Sequence, residues 1–169
     1  MKNTVKILFF LIIVSFLLFI FIPKQNALII TKTKTNQIVR YFELNPADEF
    51  ILIFTHSINK RPVYEYIKTH DEQMTIYKAR YDAFGAGMPE TAEDGLVITM
   101  KEKGIIELTN INRTIDEFSV FVGTVADHKI KLHGKEIPLN TIASPGESLT
   151  FKVQKTSYLN LWKGMFINE

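Results

Sequence analysis

The chain contains four histidines and no cysteine, which narrows its chemistry before any element is placed. Without thiols there is no disulfide, zinc–thiolate site, thiol nucleophile or lipid-modified cysteine. Among the histidines, His56 stands out because it ends the apolar run Phe50-Ile51-Leu52-Ile53-Phe54 as Thr55-His56-Ser57, shortly before a second extended segment that carries Glu65. A turn centred on Asn59 and Lys60 predicts pairing of Ser57 with Pro62, His56 with Val63 and Phe54 with Glu65. His56 and Glu65 then share one face as diagonal neighbours, roughly 7 to 8 Å apart at the backbone and within hydrogen-bonding reach. With the next turn at His70 to Gln73, Glu65 also faces Lys78, with Arg80 one pair further along. Tyr64, Tyr66, Tyr77 and Tyr81 then gather on the opposite face.

Two roles follow for this group. A histidine at the end of a core strand is commonly satisfied by a neighbouring carboxylate, and a Glu–Lys pair across a hairpin is common surface dressing. The functional alternative is a pocket for an anionic group, with Arg80 as bidentate donor and His56 as orienting group. His56 does not activate Ser57, because successive strand residues point to opposite faces unless a bulge intervenes. The segment Tyr81-Asp82-Ala83-Phe84-Gly85-Ala86-Gly87-Met88-Pro89 lacks the GxGxxG and Lys-Ser/Thr features of a phosphate loop. It reads as a tight reversal in which Gly85 and Gly87 supply positive φ, and as an apolar rim for a pocket beside the tyrosines. The candidate ligand-binding residues are therefore His56, Ser57, Glu65, Arg80, Phe84, Gly85 and Gly87. No catalytic residue and no cofactor is assigned. Nor is a metal: His128 and His133 fall on opposite faces of one strand, and His70 sits in a turn. The sequon Asn112-Arg113-Thr114 is read as chance.

The elements that must position these residues form an all-β domain, an antiparallel barrel or sandwich. Short β-rich runs alternate with turn residues and none shows a sustained 3.6-residue apolar period. Strands are expected at Ala27 to Thr33, Gln37 to Leu44, Glu49 to Ser57, Val63 to Thr69, Met74 to Tyr81, Leu96 to Lys101, Ile105 to Thr109, Glu117 to Val125, His128 to His133, Ser148 to Gln154 and Tyr158 to Trp162. Connections this short leave no room for crossover helices, so the strands must be antiparallel. The double-sided apolar run Phe50 to Phe54 is expected to be a central, buried strand.

Ahead of this domain, Ile7 to Ile22 is apolar but for Ser15 and is flanked by Lys2, Lys6 and Lys24. As a helix its 16 residues span about 24 Å, slightly less than a bilayer core, with Lys6 and Lys24 able to snorkel. Lysines before the run favour a cytoplasmic amino terminus and an outward-facing remainder. Gln25-Asn26-Ala27 offers a large polar residue where a signal cleavage site needs a small one, which favours a retained anchor over a removed signal. The expected organisation is a single-pass anchor or uncleaved signal over residues 1–23 and an extracytoplasmic β domain over 24–169 in the cell membrane. Because Lys2 and Lys6 lie before the run, the 20 basic and 18 acidic residues leave the outer domain with zero net charge, which gives no case for nucleic acid.

The order of an anchor, an apolar strand ending in Thr55-His56-Ser57, then Pro62-Val63-x-Glu65-Tyr66, then Tyr81-x-x-Phe84-Gly85-Ala86-Gly87-Met88-Pro89, then Val122-Gly123 with His128 nearby, resembles domain-of-unknown-function family 1850. The similarity runs from Phe50 to about Leu149. Members of that bacterial family are extracytoplasmic and often encoded beside TRAP-type permeases of the class that uses TAXI solute-binding proteins. The resemblance implies a membrane-anchored accessory or binding module whose partner is such a permease or its solute-binding protein. It carries no established activity, and the module is expected not to be an enzyme. The alternative is an exported hydrolase using His56 and Glu65 as acid and base.

Overall fold

The computed structural model describes residues 2–84, 91 and 95–164. Helix α1 (Lys2–Phe21) is apolar around its whole circumference and reserves no face for packing. From Val5 to Phe21, 13 of its large apolar side chains are exposed. It is long and apolar enough to span a membrane. Only Ile22, Pro23 and Lys24 separate it from the first strand.

Among the described residues eleven strands follow: β1 (Gln25–Lys32), β2 (Ile38–Glu43), β3 (Glu49–Thr55), β4 (Pro62–His70), β5 (Gln73–Tyr81), β6 (Val97–Met100), β7 (Ile106–Ile115), β8 (Glu117–Phe121), β9 (Lys129–Leu132), β10 (Lys135–Pro138) and β11 (Ser148–Thr156). They form a four-stranded sheet in the order β2-β1-β11-β8 and a seven-stranded sheet in the order β10-β9-β3-β4-β5-β7-β6. Neighbours pair antiparallel throughout. The sheets pack face to face as a sandwich, which settles the alternative that composition left open; among the described residues no barrel closes. Between them lies one continuous core containing Leu28, Ile30, Phe50, Leu52, Ile67, Met74, Ile130, Leu149, Phe151 and Val153. A smaller cluster of Val63, Ala79, Tyr81, Ile106 and Leu108 extends the core under the wider sheet.

Two hydrogen bonds, one inside the four-stranded sheet and one between the sheets, orient the sandwich relative to α1. The Lys24 amide donates to the Thr156 carbonyl at 3.1 Å, and the Lys155 amide to Glu72 Oε1 at 3.2 Å. These contacts place the β4–β5 turn at the α1 end and the β3–β4 turn at the far end.

Three departures from the expected elements have local causes. The segment Tyr158 to Trp162 is not a strand but belongs to a short helix, α2 (Tyr158–Gly164). It starts at a cap, Ser157 Oγ accepting the Asn160 amide at 3.3 Å. Strand β7 runs past Thr109 to Ile115 by looping out residues 110–112, where Asn110 and Asn112 take positive φ of 63° and 47°. Asparagine tolerates that conformation better than most residues, so an apparent strand end is in fact a bulge. Strand β10, unexpected from its charged and proline-bearing sequence, pairs only with β9 and forms the sheet edge.

Candidate functional site

The β3–β4 turn is centred one residue earlier than the sequence suggested. His56 and Arg61 close it: the His56 amide donates to the Arg61 carbonyl at 2.8 Å and the Lys60 amide to the His56 carbonyl at 3.0 Å. Side chains lock this choice. His56 Nδ1 accepts the Ile58 amide at 3.3 Å, Asn59 Oδ1 accepts the Arg61 amide at 3.1 Å, and Lys60 takes a positive φ of 57°. The register consequently slips by two, so Glu65 stands opposite Leu52 and Phe54 opposite Val63. His56 and Glu65 are separated by four positions along the hairpin, roughly 13 Å at 3.3 Å per residue. The expected His56–Glu65 hydrogen bond is not formed, and the acid–base pair built on it is not assembled.

A second correction concerns β5. Below the bulge Ile67 pairs with Ile76, and above it Tyr66 pairs with Lys78, so Tyr77 is the extra residue. One added residue moves every later side chain to the opposite face. Lys78 and Arg80 therefore leave Glu65 and join Tyr64 and Tyr66 on the outer face. Tyr81 turns inward instead and is 2% exposed. Glu65 is left on the inner face between Leu52 and Ala79, where burial pushes its carboxyl up while Arg113 acts weakly the other way.

The outer face carries the organised polar group. Arg80 Nε and Nη2 both reach Glu107 Oε2, at 2.6 and 2.5 Å, and Lys101 Nζ lies 3.2 Å from Glu107 Oε1. Glu107 is itself only 7% exposed. Burial alone would raise its carboxyl, but hydrogen bonds and charge from Arg80 and Lys101 outweigh that and hold it below the usual carboxylate range. Arg80 Nη1 also donates to the Tyr66 hydroxyl at 3.4 Å. Lys78 Nζ stands 4.0 Å above the Tyr66 ring and Lys68 Nζ 4.2 Å above Tyr77. The Tyr77 hydroxyl donates to Glu49 at 2.6 Å; burial and this carboxylate both push its ionisation upward.

Of these residues, Tyr66 and Arg80 line an open cleft of about 320 Å³ together with Pro62, Tyr64, Tyr81, Asp82 and Ile105. Its rim is tied to the β3–β4 turn: Arg61 makes a bidentate pair with Asp82, and Asn59 Nδ2 donates to the Ala83 carbonyl at 3.3 Å. Phe84 packs edge-on to Tyr81 with ring centroids 5.9 Å apart. Three of the sequence-predicted residues thus meet different fates: Arg80 lines the cleft, Phe84 packs on the lining residue Tyr81, and Glu65 is on the inner face of the sheet. Ser57 borders a separate, mainly apolar depression with Phe121, Gly123, Val125 and Pro145. Gly85 and Gly87 lie outside the described residues. Sequence reading missed Glu107 and Lys101. The available signal was a single carboxylate inside the apolar run Ile105-Ile106-Glu107-Leu108.

The remaining histidines are dispersed. His128 is half-buried against Phe54, ring centroids 5.7 Å apart, and burial lowers its basicity. His133 Nε2 is 2.6 Å from Asp48 Oδ2. Among the described residues no three His, Asp or Glu side chains are placed to hold one metal ion.

A family model described as a domain of unknown function, DUF1850, matches residues 50–139, more than half of the chain. The chain belongs to the DUF1850 family. Neither a curated protein nor a solved structure is similar enough to add to that. The match begins at Phe50 in β3 and ends at Leu139, so the DUF1850 region takes in the seven-stranded sheet and the whole cleft. The β1, β2 and β11 strands that complete the sandwich fall outside it.

Proposed function

We propose that this chain is a membrane-tethered extracytoplasmic binding module serving a TRAP-type transporter, and that its cleft takes an organic anion rather than performing catalysis. The observation that carries the reading is the pairing of an exposed apolar helix with a cleft at the opposite end of the domain. A helix with 13 exposed large apolar side chains is at home only in an apolar medium, and its direct join to β1 keeps the domain at the membrane surface. Arg80 lines the cleft and, with Lys101 beside it, shares one carboxylate, Glu107, leaving one net positive charge at its border, while Arg61 and Asp82 cancel. Lys78 adds a further cation above Tyr66. Tyrosine walls with a surplus cation suit a small solute that has an apolar or ring body and a carboxylate. The link to a TRAP-type permease or its solute-binding protein rests on the family resemblance. Nothing favours the hydrolase alternative, since His56 Nδ1 accepts the Ile58 amide in the β3–β4 turn and Glu65 stands four positions away along the hairpin.

In cells, Tyr66→Ala and Arg80→Gln are expected to reduce solute uptake through the neighbouring permease while the protein stays in the membrane fraction at its normal level. Uptake equal to that of the unaltered protein, with both variants folded, would overturn the reading.

A further inference from the structure

Helix α2 has two dissimilar faces. Tyr158 and Trp162 are four residues apart and therefore lie on one side, 37% and 57% exposed. At its carboxyl end Gly164 is pressed against Tyr41 of β2, where an added Cβ would come within 2.4 Å of the ring. Its aromatic side turns toward α1. The Tyr158 ring stacks on Phe19, centroids 5.1 Å apart, and its hydroxyl accepts a hydrogen bond from Gln25 Nε2 at 2.7 Å. Phe19 belongs to the last turn of α1.

We propose that α2 is an interfacial element, its Tyr158 and Trp162 rings seated at the headgroup boundary of the bilayer that α1 crosses. The inference rests on the membrane-tether reading above and adds a second attachment to it. Continuity with α1 identifies the occupant as lipid: a ring stacked on the last turn of a spanning helix lies at the level where hydrocarbon meets headgroups. Rings with one polar edge are most stable at that depth. Lys24, between α1 and β1, lies at the same end and suits anionic headgroups. With α2 wedged against β2 through Gly164, the sandwich cannot swivel freely about residues 22–24. The β4–β5 turn is then held toward the membrane and the cleft away from it.

Trp162 is the single tryptophan of the chain, so its emission reports on α2 alone. The full-length protein would be reconstituted into phosphatidylcholine–phosphatidylglycerol vesicles containing lipids brominated either near the headgroup or near the chain ends. The expected result is co-flotation with the vesicles, a blue-shifted emission, and stronger loss of signal with the shallow quencher than with the deep one. Co-flotation with no quenching by either lipid overturns the interfacial role and leaves the tether standing. Stronger quenching by the deep lipid also overturns it, since Trp162 would then lie within the hydrocarbon. Failure to co-float overturns the tether, and the inference with it.

Discussion

Two glutamates on opposite faces of the same sheet, Glu65 and Glu107, show how differently one side chain behaves in two settings. Glu65 stands between Leu52 and Ala79, where burial outweighs the charge of Arg113, and its carboxyl is pushed up. Glu107, on the other face, grips Arg80 and Lys101, and its carboxyl is held down. A buried acid without a hydrogen-bonded cation favours the neutral form, whereas one with two cations favours the charge. The difference separates the two faces by role: the inner face is organised for packing, the outer for charge.

If the inner face is packing, truncating it should dominate all other effects. Phe50→Ala, at a fully buried position, is expected to cost about 3 to 5 kcal/mol in urea unfolding. A loss under about 1 kcal/mol would place Phe50 outside a close-packed core. Next in size, Glu107→Ala leaves Arg80 and Lys101 without their carboxylate and should cost roughly 1 to 3 kcal/mol. Because the folded-state carboxyl is depressed, this stabilisation is present above the ordinary glutamate range and lost as pH falls through the lowered value. The wild-type advantage over Glu107→Gln should accordingly vanish in acid; an advantage that persisted there would mean packing, not charge, holds the triad.

Glu65→Gln should act in the opposite sense and more weakly, within about 1 kcal/mol. With the folded-state carboxyl raised, the wild-type protein loses stability as pH rises through that value. The variant should then be the more stable at neutral pH and indistinguishable below the usual carboxylate range. A variant less stable at neutral pH would show that Glu65 makes a charge-dependent contact. Smallest of all, Lys78→Ala removes an exposed cation–π contact worth about 0.5 to 1 kcal/mol. Its reading is cleaner through ligand binding, which should weaken while the unfolding midpoint barely moves.

Much of this architecture was legible from periodicity. The run Phe50 to Phe54 reads as a central strand buried on both faces; it is central, with β9 and β4 on either side, but only Phe50 and Leu52 are buried while Ile51, Ile53 and Phe54 are half-buried. Turn residues at Asn59-Lys60, His70-Asp71 and His133-Gly134 mark real reversals. The candidate site was half legible. Arg80 lines the cleft and Phe84 packs on its wall residue Tyr81, but the residues grouped with Arg80 differ from those expected because two small events were invisible: a turn centred one residue early, and a one-residue bulge at Tyr77. Each leaves composition untouched and changes which side chains meet.

The sequence by itself determined the all-β class, the antiparallel pairing, the apolar helix at the start and the absence of thiol chemistry. These depend on residue type and local spacing, which any reader of the chain can see. Only the tertiary structure decided that the sheets form a sandwich, that Glu107 rather than Glu65 partners Arg80, and that the last apolar segment is a helix against α1. Those outcomes depend on register and on contacts between residues far apart in the chain. In a strand of period two, a shift of a single residue carries a side chain from core to solvent.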